Sequence, residues 1–343
     1  MNAATALVTG LEASPQLAEN AVRQALTNAG LDRANGVILF LSRDFSRQLA
    51  QSVLAAARAA GCLQVVGMTA HGLFTETGWV LDQPAAAALV LGGSFSLAPN
   101  GDGPLLSFAD ASSLPPDWLY APPRIGLLHS SGLAWQQARS NEDGRSETVI
   151  AGATCSIAVS PGLRVLGEAL SITEMRGNNL VRLGEHSAVA SLTRLLPAEL
   201  RQRSTLPIHL LGALPNGKTD SPAILLLSAN TDGSITLSQP LKPGDTLIWV
   251  IRQPLAAESD MRRALASAAA QIPKPAFGIQ CSCIGRGPLF YCGDDHDLTA
   301  WRERFPGVPL IGAYGSGQLA PHGEANQLWQ NTVVTALFGE THV

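Results

Sequence analysis

The sequence predicts an α/β protein of two repeated halves, each a mixed β-sheet with covering helices, joined by a region of antiparallel hairpins. Three observations lead to this prediction. Apolar runs that suit buried strands alternate with helical periodicity towards both ends of the chain, whereas the middle is rich in turn residues. A strand followed by a glycine and small or polar residues also occurs three times: "LQVVGMTAHG" at 63–72, "TVIAGATCSI" at 148–157 and "VPLIGAYGSG" at 308–317.

The first 70 residues predict a strand–helix–strand–helix–strand unit. Strands are expected at 5–9, at 36–42 ("GVILFLS") and at 65–66, and the continuous apolar run at 36–42 is typical of a strand buried on both faces. The two helices between them should end at Gly30 and Gly61, and the second should carry Phe45, Leu49 and Leu54 on its apolar face. Crossover connections of this length predict parallel strand pairing.

The remaining elements follow the same reasoning. Residues 99–123 are rich in Gly, Pro and Asp, which predicts an extended surface loop, and 124–130 predicts another strand. Residues 162–252 predict antiparallel hairpins with one helix near 187–196. A helix at 259–272 with Ser259 as its N-cap, a strand at 277–283, a helix near Leu298 and Trp301, and a last strand at 332–338 complete the chain. The expected domains are 1–178 and 179–343.

Composition excludes several classes of function. Only 15% of the residues are charged, against about 25% in an average soluble domain, and 46% are hydrophobic, which indicates a large core, an oligomer interface or both. The net charge of −4 does not suit a nucleic-acid binder. No apolar run approaches a membrane span, the first residues lack the pattern of a signal peptide, and the five cysteines do not suggest a disulfide framework. We therefore expect a cytoplasmic protein.

The three repeated strand-and-turn segments suggest a shared ligand pocket. They place Thr69 and His71, Thr154, and Ser316 directly after buried strands. Open α/β sheets bind ligands at the carboxyl ends of their strands, so we expect these turns to gather on one side of the molecule. The alternative is that each glycine only allows close strand packing.

The C-terminal part carries the more specific motifs: "CSCIGRGPLF" at 281–290, "FPGVPLIGAYGSGQLAP" at 305–321 and "NQLWQNTVVTALF" at 326–338. Together they resemble the C-terminal half of FIST proteins. The segments "GVILFLS", "VVGMTAHG" and "VIAGATCS" resemble the N-terminal half of that family, and the resemblance extends from about residue 5 to 338.

The resemblance implies a sensory, small-molecule-binding protein that acts through a separate signalling protein, such as a histidine kinase or a cyclic-di-GMP enzyme. Amino acids or other carboxylates are the implied ligands. One branch of the family resembles haem-based nitric oxide sensors, so haem is an alternative to the expectation of no cofactor. Two positions depart from the family pattern, because Gln318 stands where a glutamate is usual and His71 begins a turn that often carries a Gly-Glu pair.

Arg286, between Gly285 and Gly287, is the predicted ligand-recognition residue. The flanking glycines permit close backbone approach, and the guanidinium fork matches a carboxylate. The alternative is that Arg286 only ties its loop to Asp294 or Asp295. The same predicted site includes Cys283 as a pocket thiol and the later turn residues Tyr314, Gly315, Gly317 and Gln318.

The cysteines and histidines leave further alternatives. Cys281, Cys283, Cys292 and His296 could suggest a metal site, but Cys-x-Cys spacing suits structural zinc poorly, so no metal is expected. Cys283 or Cys155 with His71 or His129 could form a nucleophilic pair, which makes a cysteine-dependent enzyme a weaker alternative to a protein without catalysis. His186 is expected to be part of a local helix start. A homo-oligomer remains open.

Overall fold

The computed structural model describes residues 2–120, 122–140, 143–203, 205–218 and 221–341. These residues form a mixed α/β structure, which confirms the predicted fold class. The chain divides into two compact units. The first unit comprises Met1–Ser160 together with Met261–Val343, and the second comprises Pro161–Asp260.

The N-terminal part of the first unit contains thirteen strands and two helices among the described residues. The strands are β1 (Ala3–Thr9), β2 (Gly36–Ser42), β3 (Val65–Ala70), β4 (Gly72–Thr75), β5 (Gly78–Leu81), β6 (Ala85–Leu91), β7 (Ser96–Ala98), β8 (Leu105–Asp110), β9 (Arg124–His129), β10 (Ala134–Gln136), β11 (Arg139–Ser140), β12 (Arg145–Ala151) and β13 (Ala153–Ser160). The helices are α1 (Pro15–Ala29) and α2 (Leu49–Ala60), with a 3-10 turn at Arg43–Arg47 before α2.

The second unit and the C-terminal part follow in chain order. The second unit has the strands β14 (Leu163–Arg176), β15 (Asn179–Leu183), β16 (His186–Ser187), β17 (Leu211–Pro215), β18 (Ile224–Ala229), β19 (Ile235–Leu237) and β20 (Thr246–Arg252), with the helices α3 (Ala188–Leu195) and α4 (Ala198–Arg201). The later elements are α5 (Pro254–Gln271), β21 (Phe277–Cys283), α6 (His296–Arg304), β22 (Leu310–Gly315), β23 (Gly317–His322), β24 (Ala325–Trp329) and β25 (Val333–Glu340).

Three six-stranded sheets make up the first unit. Their strand orders are β1-β6-β2-β3-β10-β11, β13-β25-β21-β22-β4-β5 and β24-β23-β9-β8-β12-β7. Each sheet contains one parallel pair, namely β2 with β3, β21 with β22, and β8 with β9. In the first two sheets, two antiparallel strands lead to the parallel pair in the same order. The division of the whole chain into two repeated halves nevertheless stays a prediction.

The cores of the first unit explain the continuous apolar strands. Ile38 and Phe40 of β2 share one buried cluster with Leu127 of β9 and Ile279 of β21, so residues from all three sheets meet in a central core. The opposite face of β2 is covered by α1 and α2. Because both faces are covered, all seven residues of β2 are buried, as the sequence pattern predicted.

The helix ends confirm several sequence predictions. Gly30 and Gly61 end α1 and α2 in the left-handed conformation, with φ of 69° and 65°. Ser187 caps α3 by accepting a hydrogen bond from the Ala190 N–H. Phe45, however, lies in the 3-10 turn before α2, and Leu54 is 40% exposed, so the predicted apolar face of α2 was wrong in part.

Two element predictions were wrong. Residues 99–123 are not only a loop, because β8 pairs between β9 and β12 and its central residues are buried. The apolar run "LLSF" outweighs the turn residues around it. The helix predicted to start at Ser259 begins at Pro254, since proline is well accommodated in a first helical turn.

The second unit is an antiparallel seven-stranded sheet in the order β14-β20-β17-β18-β19-β15-β16. It has its own core, in which Leu192 of α3 packs with Leu180, Trp249 and other strand residues. The predicted hairpin region is therefore confirmed. This unit begins at Pro161, whereas the predicted domain boundary lies at residue 178. That boundary stays a prediction about family domains. Among the described residues, no helix is both long and apolar enough to cross a membrane.

Candidate functional site

The carboxyl ends of strands from all three sheets of the first unit meet at one place. The His71 N–H, just after β3, donates to the Tyr314 carbonyl of β22 at 3.0 Å. The Ser316 N–H donates to the Leu128 carbonyl of β9 at 2.8 Å. The Ser130 N–H in turn donates to Ser316 Oγ at 3.0 Å. This is the position at which open α/β sheets bind ligands. We call it the strand-end site; its members are Arg43, His71, His129, Ser130, Cys283, Ser316 and Gln318.

Two histidines form the middle of the strand-end site. The rings of His71 and His129 lie 4.2 Å apart between centroids, at an angle of 73°. Burial, together with the neighbouring His71, lowers the pKa of His129 to about 4. Burial and the positive charge of Arg43 also lower the pKa of His71. Both imidazoles are therefore neutral near pH 7, and His129 Nδ1 is buried without a hydrogen-bond partner.

Gln318 brings an unpartnered amide to the same site. Its side chain is fully buried, and neither Oε1 nor Nε2 has a hydrogen-bond partner. Gln318 pairs with Leu127 across β23 and β9. Leu127 is two residues before His129, so these side chains lie on one face of the sheet. A buried polar group without a partner costs about 1–3 kcal/mol. Such a group therefore favours a bound polar molecule.

Cys283, Gly315 and Gly317 lie at the edge of this site. Cys283 is the parallel partner of Gly315, and its Sγ lies 3.9 Å from Asn331 Oδ1. A Cβ at Gly315 would lie 2.5 Å from the Leu128 carbonyl oxygen, so the close approach of β22 to β9 requires glycine here. Gly317 pairs with Leu128 in the next strand. Thr69 accepts a hydrogen bond from the Leu133 N–H at its Oγ1, at 3.0 Å.

Thr154 is not part of this site, which corrects the prediction of one pocket for all three turns. Thr154 pairs with Gly339, whereas Ser160, at the other end of β13, pairs with Val333. Val333 pairs with Ser282 beside Cys283, so Thr154 lies at the opposite end of the sheet. Six strand residues separate the two ends by about 20 Å. Thr154 instead lines a cleft of about 570 Å³ with Gly101–Pro104, Val149–Cys155 and Thr341.

Arg286 has an internal role in the structure. Its side chain is 1% exposed, and its Nη2 forms an ion pair with Asp297 Oδ1 at 3.0 Å. The guanidinium also donates to the Tyr291 hydroxyl and to both the carbonyl and the hydroxyl of Ser160, at 2.9–3.1 Å. The carboxylate partner is Asp297 rather than the predicted Asp294 or Asp295. Because these donors are engaged inside the protein, the geometry favours the structural alternative.

Gly287 and Tyr314 support the same loop. A Cβ at Gly287 would lie 3.2 Å from the Tyr314 ring, and the Tyr314 hydroxyl donates to Asp295. Gly285 lies in the 3-10 turn Ile284–Arg286 that leads out of β21. We call this group the buried polar cluster; its members are Ser160, Arg286, Tyr291, Asp295, Asp297 and Tyr314.

The other histidines and cysteines do not join the strand-end site. His186 lies just before α3, where its ring contacts Arg194, and His296 stacks on Tyr291. Burial raises the pKa of Cys281 and of Cys155 to about 12, so both thiols stay protonated. Cys292 is exposed in a loop. Within the described ranges, no three His, Cys, Asp or Glu side chains are grouped to hold a metal ion.

Sequence reasoning missed Arg43 and Ser130. Both directly follow strands, in "FLSRD" after β2 and "LLHSSG" after β9. The same rule that selected Thr69 and Ser316 would have selected them, because each is a polar residue after a buried apolar run. Their proximity to His71 and His129 depends on how the three sheets pack.

A comparison with known protein families finds a match in the C-terminal part of the chain. The family model of the FIST C domain matches residues 188–321, a range that runs from α3 into β23. Residues 188–321 therefore match a FIST C domain, which confirms the resemblance for that part of the sequence. FIST C domains are sensory domains of signal transduction.

Curated relatives match this chain over part of their length. An uncharacterized protein of Mycobacterium tuberculosis is 30% identical over 200 residues, covering 54% of this chain and 51% of the relative. An uncharacterized protein of Mycobacterium bovis is 29% identical over 191 residues, covering 52% of this chain and 49% of the relative. The chain thus matches about half the length of these relatives, and their names assign no function.

Proposed function

We propose that this protein is a sensory protein that binds a small polar molecule at the strand-end site. The observation that carries the proposal is Gln318, a fully buried amide of which neither polar atom has a partner. It lies on the same face of the sheet as His129, whose buried Nδ1 also has no partner. A ligand with both hydrogen-bond donors and acceptors would satisfy these groups, and their satisfaction would select against apolar molecules.

The charges around the site favour a ligand with an anionic group, such as a carboxylate or an amino acid. Arg43 is exposed at the end of β2, and its positive charge lowers the pKa of both histidines, so it lies within electrostatic reach of both rings. A guanidinium can form a bidentate pair with a carboxylate, in which it donates two parallel hydrogen bonds. Asp82 and Asp110 contribute opposite charge near His71 and His129, and they would suit an amino group.

The output of such a sensor would pass to a separate cytoplasmic partner, such as a histidine kinase or a cyclic-di-GMP enzyme. This part of the proposal rests on the FIST C domain, since sensory domains of signal transduction act on effectors. A homo-oligomer is compatible with it. Catalysis by Cys283 is less well supported, because the described contact of its thiol is with Asn331 rather than with a histidine base.

A ligand screen with two matched variants tests the proposal. The thermal unfolding midpoint of the wild-type protein would be measured with a panel of small carboxylates, amino acids and neutral amides. A molecule that binds the native state raises this midpoint. Gln318→Leu should abolish the rise, whereas Gln280→Leu should preserve it. Gln280 is the suitable control because it is also fully buried with an unpartnered amide, but it lies in β21.

The two variants also define the contrary result. If Gln318→Leu and Gln280→Leu respond alike to a molecule that stabilises the wild type, that molecule binds elsewhere and the strand-end site is not the ligand site.

Arg43→Ala should weaken binding of carboxylates more than binding of neutral amides. Equal weakening of both classes would contradict recognition of an anionic group.

Haem is the second candidate ligand, and the neutral histidines favour it. A neutral imidazole nitrogen is the form that binds iron, and His129 Nδ1 has no internal partner. The two rings are only 4.2 Å apart, so a porphyrin does not fit between them and one histidine would have to serve alone. A Soret absorbance after addition of haem that is lost in the alanine variant of one of the two histidines, His71 or His129, would identify a haem site here.

A further inference from the structure

Trp329 brings a second unpartnered polar side chain next to Gln318. Trp329 is 2% exposed, and its indole Nε1–H has no hydrogen-bond partner among the described residues. It lies in β24, directly opposite Gln318 of β23. Residues in directly opposite positions have Cβ atoms about 4.5–5.5 Å apart on the same face of the sheet. The indole N–H and the amide are therefore neighbours that do not bond to each other, and a third group that bonds to both would satisfy them.

Gln318 lies between the strand of Trp329 and the strand of His129. On its other side Gln318 pairs with Leu127 of β9, and His129 follows Leu127 by two residues, on the same face. Diagonal neighbours of this kind lie about 7–8 Å apart, within reach of long side chains. His129 Nδ1 is also buried without a partner in the described part of the chain. Three neighbouring strands thus carry unpartnered polar side chains on one face.

This face has no buried positive charge to balance an anion. Ala320 and Leu127, which share the face with Gln318, belong to the central hydrophobic core. Arg124 and Arg286 are the buried cations of the described residues, and each already pairs with a carboxylate of the protein. A carboxylate buried here without a cation would be costly, so a neutral polar group suits the position next to Trp329 better.

The hydrogen-bonding capacity of the two side chains defines that neutral group. An indole Nε1–H only donates, whereas a glutamine amide donates through Nε2 and accepts through Oε1. A primary carboxamide has the complementary set: its N–H can donate to Gln318 Oε1, and its carbonyl oxygen can accept from Gln318 Nε2 and from Trp329 Nε1. A carboxylate lacks the donor and an ammonium lacks the acceptor, so each would leave a buried group without a partner.

We propose that Gln318 and Trp329 together bind a neutral carboxamide group of the ligand. This inference rests on the proposed function of the strand-end site. It adds Trp329 as a residue that determines specificity, and it narrows the ligand to an amide-bearing molecule. The anionic group expected near Arg43 would belong to another part of the same molecule.

The first test compares molecules of equal shape that differ in this one group. The thermal unfolding midpoint of the full chain would be titrated with acetamide and acetate, and with glutamine and glutamate, near pH 7 at equal ionic strength. A molecule that binds the native state raises the midpoint in a saturable manner. Each amide should reach the same rise at about one tenth of the concentration of its carboxylate, because the carboxylate leaves Gln318 Oε1 without a donor. Equal effects within each pair, a stronger carboxylate, or no saturable rise with either amide would overturn the inference.

The second test removes the indole N–H. Trp329→Phe keeps an aromatic ring in the core and should weaken binding of glutamine about tenfold. Trp135→Phe is the matched control. Trp135 is also fully buried, and its Nε1 has no partner among the described residues, but it belongs to the core that α1 and α2 cover. Both variants should lower the midpoint of the unliganded protein through lost packing, whereas only Trp329→Phe should lose the rise caused by glutamine.

The outcomes separate this inference from the proposed function. If a molecule loses its effect in Gln318→Leu but keeps it in Trp329→Phe, the strand-end site binds that molecule and the role of Trp329 is wrong. If both variants keep the effect, the ligand site itself lies elsewhere. If Trp329→Phe lowers only the stability of the unliganded protein, as Trp135→Phe does, a water molecule satisfies the indole and the inference is overturned. The comparison of amides with carboxylates uses the wild type, so it decides the matter if Trp329→Phe does not fold.

Discussion

Arg286 lies in a motif that suggests ligand binding, but its contacts in the structure stabilise the fold. The Gly-Arg-Gly motif allowed either ligand recognition or a loop contact. In the structure the guanidinium bonds to Ser160, Tyr291 and Asp297, so these contacts of Arg286 stabilise the fold. Gln318 shows the reverse, since a residue that departs from the family pattern provides the unpartnered buried amide.

Replacement of Arg286 should therefore lower the stability of the protein more than its affinity for a ligand. Arg286→Lys should lower the free energy of unfolding by about 3–5 kcal/mol, as expected when one partner of a buried ion pair is lost. An ammonium cannot reproduce the separate bonds to Ser160, Tyr291 and Asp297. Urea unfolding monitored by circular dichroism would measure the change.

Arg23→Ala is the control for this prediction. Arg23 pairs with Glu19 on α1, but its side chain is 65% exposed, so the loss should be below about 1 kcal/mol. If Arg286→Lys were as stable as Arg23→Ala but no longer bound a carboxylate ligand, the sequence prediction would be right and the internal role would be secondary.

At the level of elements, glycines set how closely helices and strands approach. Trp301 of α6 lies directly over Gly278 of β21, where an added Cβ would be 2.2 Å from the indole ring. This contact fixes the position of α6 and hence of Asp297 above the sheet. The helix was predictable from its periodicity, but its depth against β21 depends on this one missing side chain.

Gly278→Ala should destabilise the protein by about 1–3 kcal/mol, the usual cost of overpacking a core. Indole and sheet must separate to admit the methyl group, and the near-ultraviolet circular dichroism of the buried Trp301 should change with them. The free energy of unfolding would be measured by urea titration.

Gly78→Ala provides the comparison, because an added Cβ at Gly78 meets no atom within 4 Å. Its effect should be small. Equal losses at the two glycines would mean that the contact between Trp301 and Gly278 does not determine the packing.

At the scale of the whole molecule, the two compact units have separate hydrophobic cores. Leu192 belongs to the core of the second unit, and Ile38 belongs to the central core of the first. Local opening of one core therefore need not open the other, because proteins unfold locally in cooperative units.

Leu192→Ala should lower stability by about 2–5 kcal/mol, since it leaves a cavity at a fully buried position. Amide hydrogen exchange should quicken in β20 of the second unit much more than in β2 of the first. A uniform loss of protection across both strands would show instead that the two units unfold as one.

The sequence by itself determined much of the local structure and the match of residues 188–321 to the FIST C domain. The periodicity of apolar residues identified β2, β21 and α6, turn residues identified the antiparallel region, and motifs at 281–321 identified the FIST C domain. These features depend on near neighbours along the chain, so their physical causes can be found in short segments.

Only the tertiary structure decided which side chains meet. Ser160 and Arg286 are 126 residues apart, yet they are hydrogen-bonded, whereas Thr154 and Ser316 share a local pattern but lie at opposite ends of a sheet. Strand register and the packing of three sheets produce these distances, and a slip of one residue in register would turn each side chain to the other face. The strand-end site and the buried polar cluster are therefore properties of the packed strands rather than of any one motif.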